Sequence, residues 1–89
     1  DFMNEKILYY SSLCPDTAPF KEAMAKLGIS AREVDITSSM KNLKEFLRLR
    51  DHEEVFIPRK AQGMVGIPCL ITEEGAFIFE VSALEERYL

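Results

Sequence analysis

The chain is 89 residues long, 47% hydrophobic and 29% charged, with a formal net charge of −4. That composition is globular and that length is one domain, which buries only about two-thirds of the surface its unfolded chain exposes. No run approaches the roughly 18 to 20 apolar residues of a membrane span, and nothing at the N-terminus has the basic-then-apolar form of a signal peptide. Lys and Arg are interleaved with a larger number of acids, which argues against a nucleic-acid partner, since phosphate binding needs a clustered cationic face. Two cysteines are too few for a disulfide-stapled secreted scaffold, so a reducing cytoplasm is expected. Asp1-Phe2, ahead of Met3, is read as an expression remnant, which places the single domain at 3–89.

Glu5 to Tyr10, with the apolar run Ile7-Leu8-Tyr9-Tyr10, predicts a buried first strand. From Pro15 to Leu27 the residues Phe20, Ala23, Met24 and Leu27 fall on one face of a helix, which Gly28 stops. Pro15 suits its first position, whereas Pro19 crowds the carbonyl of Pro15 and predicts a kink. Arg32 to Ile36 alternates acids with Val34 and Ile36, the pattern of a half-buried strand. Thr37, Ser38 and Ser39 offer N-caps for a helix with Met40, Leu43, Phe46 and Leu47 on one face, fading near Arg50-Asp51. The stretch from His52 to Gly66 holds at most one helical turn around Glu54 to Ala61, interrupted by Pro58. Cys69 to Thr72 predicts a strand, Glu73-Glu74-Gly75 a turn, and Ala76 to Glu80 an antiparallel return. Ser82 and Glu85 match a capping box opening a terminal helix. The expected order is β-α-β-α-β-β-α, with the first two strands parallel and the last two a hairpin.

The chemistry-bearing stretch is Cys14-Pro15-Asp16-Thr17. A cysteine between a strand and a helix start receives unpaired N–H groups and the positive end of the helix dipole, both of which favour the nucleophilic thiolate. The competing reading is an inert buried thiol. Thr17 stands where a C-x-x-C pair would carry its second cysteine. Its hydroxyl is placed either to donate to the Cys14 thiolate or to serve as a polar first-turn residue. Ser11 and Ser12 read as turn residues. His52, the only histidine, reads as part of a solvated helix end, and two cysteines with a distant histidine make no metal pattern.

The element order, Leu13-Cys14-Pro15-Asp16, Asp35-Ile36-Thr37, the Leu43-to-Asp51 helix and Gly66-Ile67-Pro68-Cys69 together resemble the thioredoxin fold in its minimal glutaredoxin form. More closely, they resemble the bacterial glutaredoxin-related proteins. The resemblance implies a three-layer α/β/α fold on a four-stranded mixed sheet. It implies a cis Ile67–Pro68 bond beside the nucleophile Cys14, and a substrate set against Pro15, Asp16, Thr17, Ile67, Pro68 and Ser82. It also brings Cys69, next to Pro68, near Cys14 as a candidate resolving thiol, unless strand alternation turns it away.

Three departures bear on glutathione, the one cofactor-like small thiol in question. Thr17 replaces the resolving cysteine. Ser11 stands where glutathione-binding glutaredoxins carry a Lys three residues before the nucleophile. Their Gly-Gly and Asp before the last helix become Phe79-Glu80 with Val81, Ser82 and Ala83, which opposes an anionic tripeptide. No cofactor or metal is expected. The expected activity is thiol–disulfide exchange at Cys14, on a protein or small-molecule thiol or disulfide, resolved by Cys69 or an external thiol. The rivals are a redox-inactive binding or regulatory module on the same fold, and a sensor in which Cys14 is oxidised without turnover.

Overall fold

The computed structural model describes residues 5–89; the expected Asp1-Phe2 remnant and the expected domain start at Met3 lie outside the described residues. Along the chain run Ile7–Tyr10 (β1), Thr17–Lys26 (α1), Arg32–Asp35 (β2), Met40–His52 (α2), a 3-10 turn over Glu54–Phe56, Ile57–Ala61 (α3), Cys69–Ile71 (β3), Phe77–Ile78 (β4) and Val81–Tyr88 (α4). The result is an α/β fold with a four-stranded mixed sheet in the order β2-β1-β3-β4. β1 lies parallel to β2 and antiparallel to β3, and β4 pairs antiparallel with β3. The uninterrupted apolar run of β1 suits its interior place, since a strand covered on both faces has no solvent side to mark with polar residues. No helix is long and apolar enough to cross a membrane among the described residues.

Strand alternation divides the core in two. On one face Leu8, Leu70 and Ile78 pack with Phe20 and Met24 of α1 and Leu84 of α4. On the other, Tyr9, Val34 and Cys69 pack with Ile36, with Phe46 of α2 and with Phe56 of the 3-10 turn. Phe56 sits among three aromatic rings, 5.7 Å from Phe46, 5.7 Å from Phe77 and 5.3 Å from Phe79 between centroids, each pair nearly perpendicular. Edge-to-face contacts of this kind add about 0.5–1.5 kcal/mol each beyond the area they bury.

Several local expectations change in the folded chain. α1 begins at Thr17, not Pro15, so Pro15 lies in the preceding turn. Pro19 is then the third helical residue. The first α-type bond into α1 runs from the Phe20 N–H to the Asp16 carbonyl at 3.4 Å, so Pro19 has no hydrogen bond to lose and the reason for a kink disappears. Ser39 caps α2, its hydroxyl accepting the Asn42 N–H at 3.1 Å. Met40, expected on the buried face, is exposed because the packed stripe begins one turn later and runs Leu43, Phe46, Leu49. Pro58 does not interrupt α3; it sits in the first turn, where its missing N–H is not needed. α4 starts one residue early because Val81 packs into the core. Ser82 thereby becomes an exposed second residue, and the expected capping box gives way to an uncapped extended Glu80.

Gly66 is buried with φ +101°, and a Cβ added there would lie 2.9 Å from two ring carbons of Phe56. Both the backbone angle and the contact demand glycine. Gly66→Ala is expected to lower unfolding free energy by about 1–3 kcal/mol, read as a lower denaturant midpoint. A midpoint equal to wild type would show that Phe56 is free to move aside.

Candidate functional site

The loop after β1 takes its shape from Ser11, which is buried. Its carbonyl accepts the Cys14 N–H at 3.1 Å and the Thr17 hydroxyl at 2.6 Å. Its own hydroxyl accepts the Leu13 N–H at 3.1 Å and lies 2.7 Å from the Thr37 hydroxyl. Thr37 in turn donates its hydroxyl, at 2.8 Å, and its N–H, at 3.0 Å, to the Asp35 carboxylate. With the Thr37 proton given to Asp35, the Ser11 proton goes to Thr37 Oγ1, which makes one directed chain from the Leu13 amide to a carboxylate. These bonds from Thr37, its hydroxyl first, hold the Asp35 carboxyl below its usual range.

Cys14 comes out of this turn partly exposed, with its thiol free. It borders an open cleft of about 650 Å³ between the loop after β1, the loop before β3 and the start of α4. Leu13, Cys14 and Asp16 form one wall, and Met64 to Pro68 form another. Phe79, Glu80 and Val81 close a third side with Arg59 of α3. The Ile67–Pro68 peptide bond is cis, the isomer the resemblance implies. Arg50 of α2 fixes the second wall from behind, donating from Nε to the Val65 carbonyl at 2.7 Å and from Nη2 to the Met64 carbonyl at 2.8 Å. A planar guanidinium offers its donors in a fixed fork that matches two neighbouring carbonyls, whereas a lysine offers a flexible point charge.

Of the residues expected around a substrate, Cys14, Asp16, Ile67 and Pro68 meet in this cleft. Pro15 lies in the exposed turn and does not border the cleft. Thr17 is buried, and its hydroxyl is committed to the Ser11 carbonyl instead of the Cys14 sulfur. Ser82 lies past the cleft, where Val81 takes the wall position because α4 begins a residue early. Cys69 is the larger correction. It is fully buried in the core on the α2 side and does not border the cleft. Burial pushes its thiol up to about 12, against a weaker opposing pull from Arg59. Enclosed in the core and off the cleft, the Cys69 thiol is not placed to attack a disulfide at Cys14 in this conformation.

Sequence reasoning missed Arg59, Arg50, Met64 and Val65. All but Arg50 belong to the segment whose periodicity is unreadable, and Arg50 reads only as a charge at a helix end. Arg59 stacks on Phe79, 3.7 Å from the ring centroid, and lies 3.9 Å from the Glu80 carboxylate. Among the described residues no group of three or more metal-ligating side chains converges.

Two measurements check this geometry. On the folded protein an alkylating reagent at pH 8 is expected to modify Cys14 alone, with Cys69 reacting only after denaturation; equal rates at both thiols would contradict the burial. Asp35 should also make stability pH-dependent. Its folded pKa is below its unfolded value, so its contribution is complete above about pH 4 and is lost as pH falls through the lower folded value. The fall in denaturant midpoint between pH 7 and pH 3 is therefore expected to be smaller in Asp35→Asn than in wild type.

No protein-family model matches the chain. It is 43% identical over 83 residues to an uncharacterized protein of Haemophilus influenzae, an overlap covering 93% of this chain and 96% of that protein. That overlap covers nearly the whole of both chains. The chain belongs to the same family as this uncharacterized Haemophilus influenzae protein.

Proposed function

We propose that the chain is a thioredoxin-like protein of glutaredoxin type, akin to the glutaredoxin-related proteins, and works as a thiol–disulfide oxidoreductase with Cys14 as its only nucleophile. The observation that carries this reading is the partly exposed Cys14 thiol facing the same cleft as Ile67 and Pro68. The strand order β2-β1-β3-β4, with a helix between the parallel pair, fits it. A reducing cytoplasm is the setting in which such a thiol stays available.

In the proposed reaction the Cys14 thiolate attacks one sulfur of a substrate disulfide, with the substrate backbone against Ile67. A Cys14–substrate disulfide forms, the original S–S bond breaks, and the other sulfur leaves as a thiolate that takes up a proton. With Cys69 buried, an external thiol resolves the intermediate. It attacks the Cys14–substrate bond and returns Cys14 as thiolate, and a second external thiol completes a new disulfide. The net change is one substrate disulfide reduced to two thiols and two external thiols oxidised to one disulfide.

A redox-inactive binding module is the second reading, favoured by the exposed apolar side chains on the two cleft loops: Leu13 at 80%, Met64 at 50% and Val65 at 51%. The two readings part in a disulfide-reduction assay with dithiothreitol as reductant. The oxidoreductase reading expects Cys14→Ser to fall to the uncatalysed background while Cys69→Ala keeps most of the wild-type rate. Wild type at background with every disulfide tried would leave the binding module standing. A loss in Cys69→Ala equal to that in Cys14→Ser, in a protein still folded by circular dichroism, would put Cys69 back into the cycle.

A further inference from the structure

The charges around the cleft are few and unevenly used. Among the described residues, Asp16, Arg59 and Glu80 are the ones bordering it that carry a formal charge. The single cation is stacked on Phe79 and lies 3.9 Å from the Glu80 carboxylate, so these two charges offset one another. Asp16, two residues from Cys14, is exposed. Its carboxylate does not cap α1, and no ion pair engages it among the described residues. An anionic ligand approaching the Cys14 sulfur therefore meets an unneutralised carboxylate, while the one cation of the border is offset by Glu80. A cationic one meets its complement.

The cleft's volume is ordinary for a small ligand, about 650 Å³ against the usual range of about 300–1,000 Å³. Its rim is not. Leu13 on one loop and Met64 and Val65 on the other stand half or more in water, an apolar border that a small thiol would leave uncovered. A polypeptide crossing the cleft would cover it.

Resting on the oxidoreductase reading, we propose that Cys14 exchanges with a cysteine of a polypeptide segment. That segment carries a basic residue that pairs with Asp16 and an apolar residue that covers Leu13, Met64 and Val65. The same charge arrangement makes glutathione disulfide, which bears a net negative charge, a poor substrate. Asp16 acts here as a specificity residue and takes no part in the bond exchange. The pair it makes is solvent-exposed, so its effect is modest and falls with salt.

The test uses short peptides with one cysteine, each as a mixed disulfide with 2-mercaptoethanol. Leu stands on one side of the cysteine and Lys, Gln or Glu on the other. Reduction is followed with dithiothreitol, and the uncatalysed rate is subtracted. Wild-type kcat/KM is expected to fall from Lys through Gln to Glu, by about twofold to fivefold overall. The ratio should shrink at high ionic strength and collapse in Asp16→Asn. Asp16→Lys should reverse it, and replacing the peptide Leu with Ser should lower kcat/KM in wild type. Equal rates for the three peptides, a preference that survives in Asp16→Asn, or faster reduction of glutathione disulfide than of the Lys peptide would overturn this inference and leave the oxidoreductase reading intact. No reduction of any substrate above the Cys14→Ser background would sink both.

Discussion

The packing of Phe56 is the constraint on which the rest of this structure depends. One ring, fully buried, meets Phe46 of α2, Phe77 of β4 and Phe79 just beyond it, so it ties the segment after α2 to the far end of the sheet. Edge-on contacts fix the angle of each ring as well as its distance. Gly66 passes so close to Phe56 that a side chain has no room there. The loop before β3 is thus held on one side by an aromatic cluster and on the other by the two bonds from Arg50. Phe79, through the same cluster, places its outer face beneath the Arg59 guanidinium. One buried ring therefore sets two sides of the cleft and the position of its cation.

The opposite wall has a different cause. Ser11 is small, buried and bonded four ways, and its bonds set the loop that carries Leu13 and Cys14. A long cationic side chain at that position would have to displace the hydroxyl chain that ends on Asp35. The absence of a lysine there and the presence of the Ser11–Thr37–Asp35 chain are two sides of one choice. The loop is stiffened from within by neutral hydroxyls, and the cleft is left with a net negative border. The proposed preference for a basic polypeptide over an anionic small thiol follows from that border.

The two cysteines show how far environment outweighs residue type. Cys14 leaves a turn, keeps part of its surface in water and faces an open cleft. Cys69 is a strand residue directly opposite Tyr9, enclosed on the α2 side, where burial pushes its thiol up to about 12. Strand alternation makes the difference. Pro68 borders the cleft, and the next residue turns into the core. The proposed mechanism therefore rests on a single thiol, and resolution comes from outside the molecule.

Much of this was legible in the chain itself. Apolar runs and helical spacing place β1, α1, β2 and α2 within a residue or two, because each buries a continuous face whose period can be read locally. The Ser39 cap and the Gly28 stop are local too. Cys14 stands out by its place between a strand and a helix. What the sequence could not decide were matters of tertiary proximity. Phe56, Arg59, Met64 and Val65 lie in a segment with no clear period, held by aromatic contacts from distant elements. The start of α4 depended on Val81 finding the core, and this moved Ser82 off the site. The fate of Thr17 depended on the Ser11 carbonyl six residues earlier, and that of Cys69 on which face of β3 the helix α2 would cover. Local periodicity determines which residues are buried, but only the packed chain decides which buried group meets which, and the chemistry of the cleft is made of those meetings.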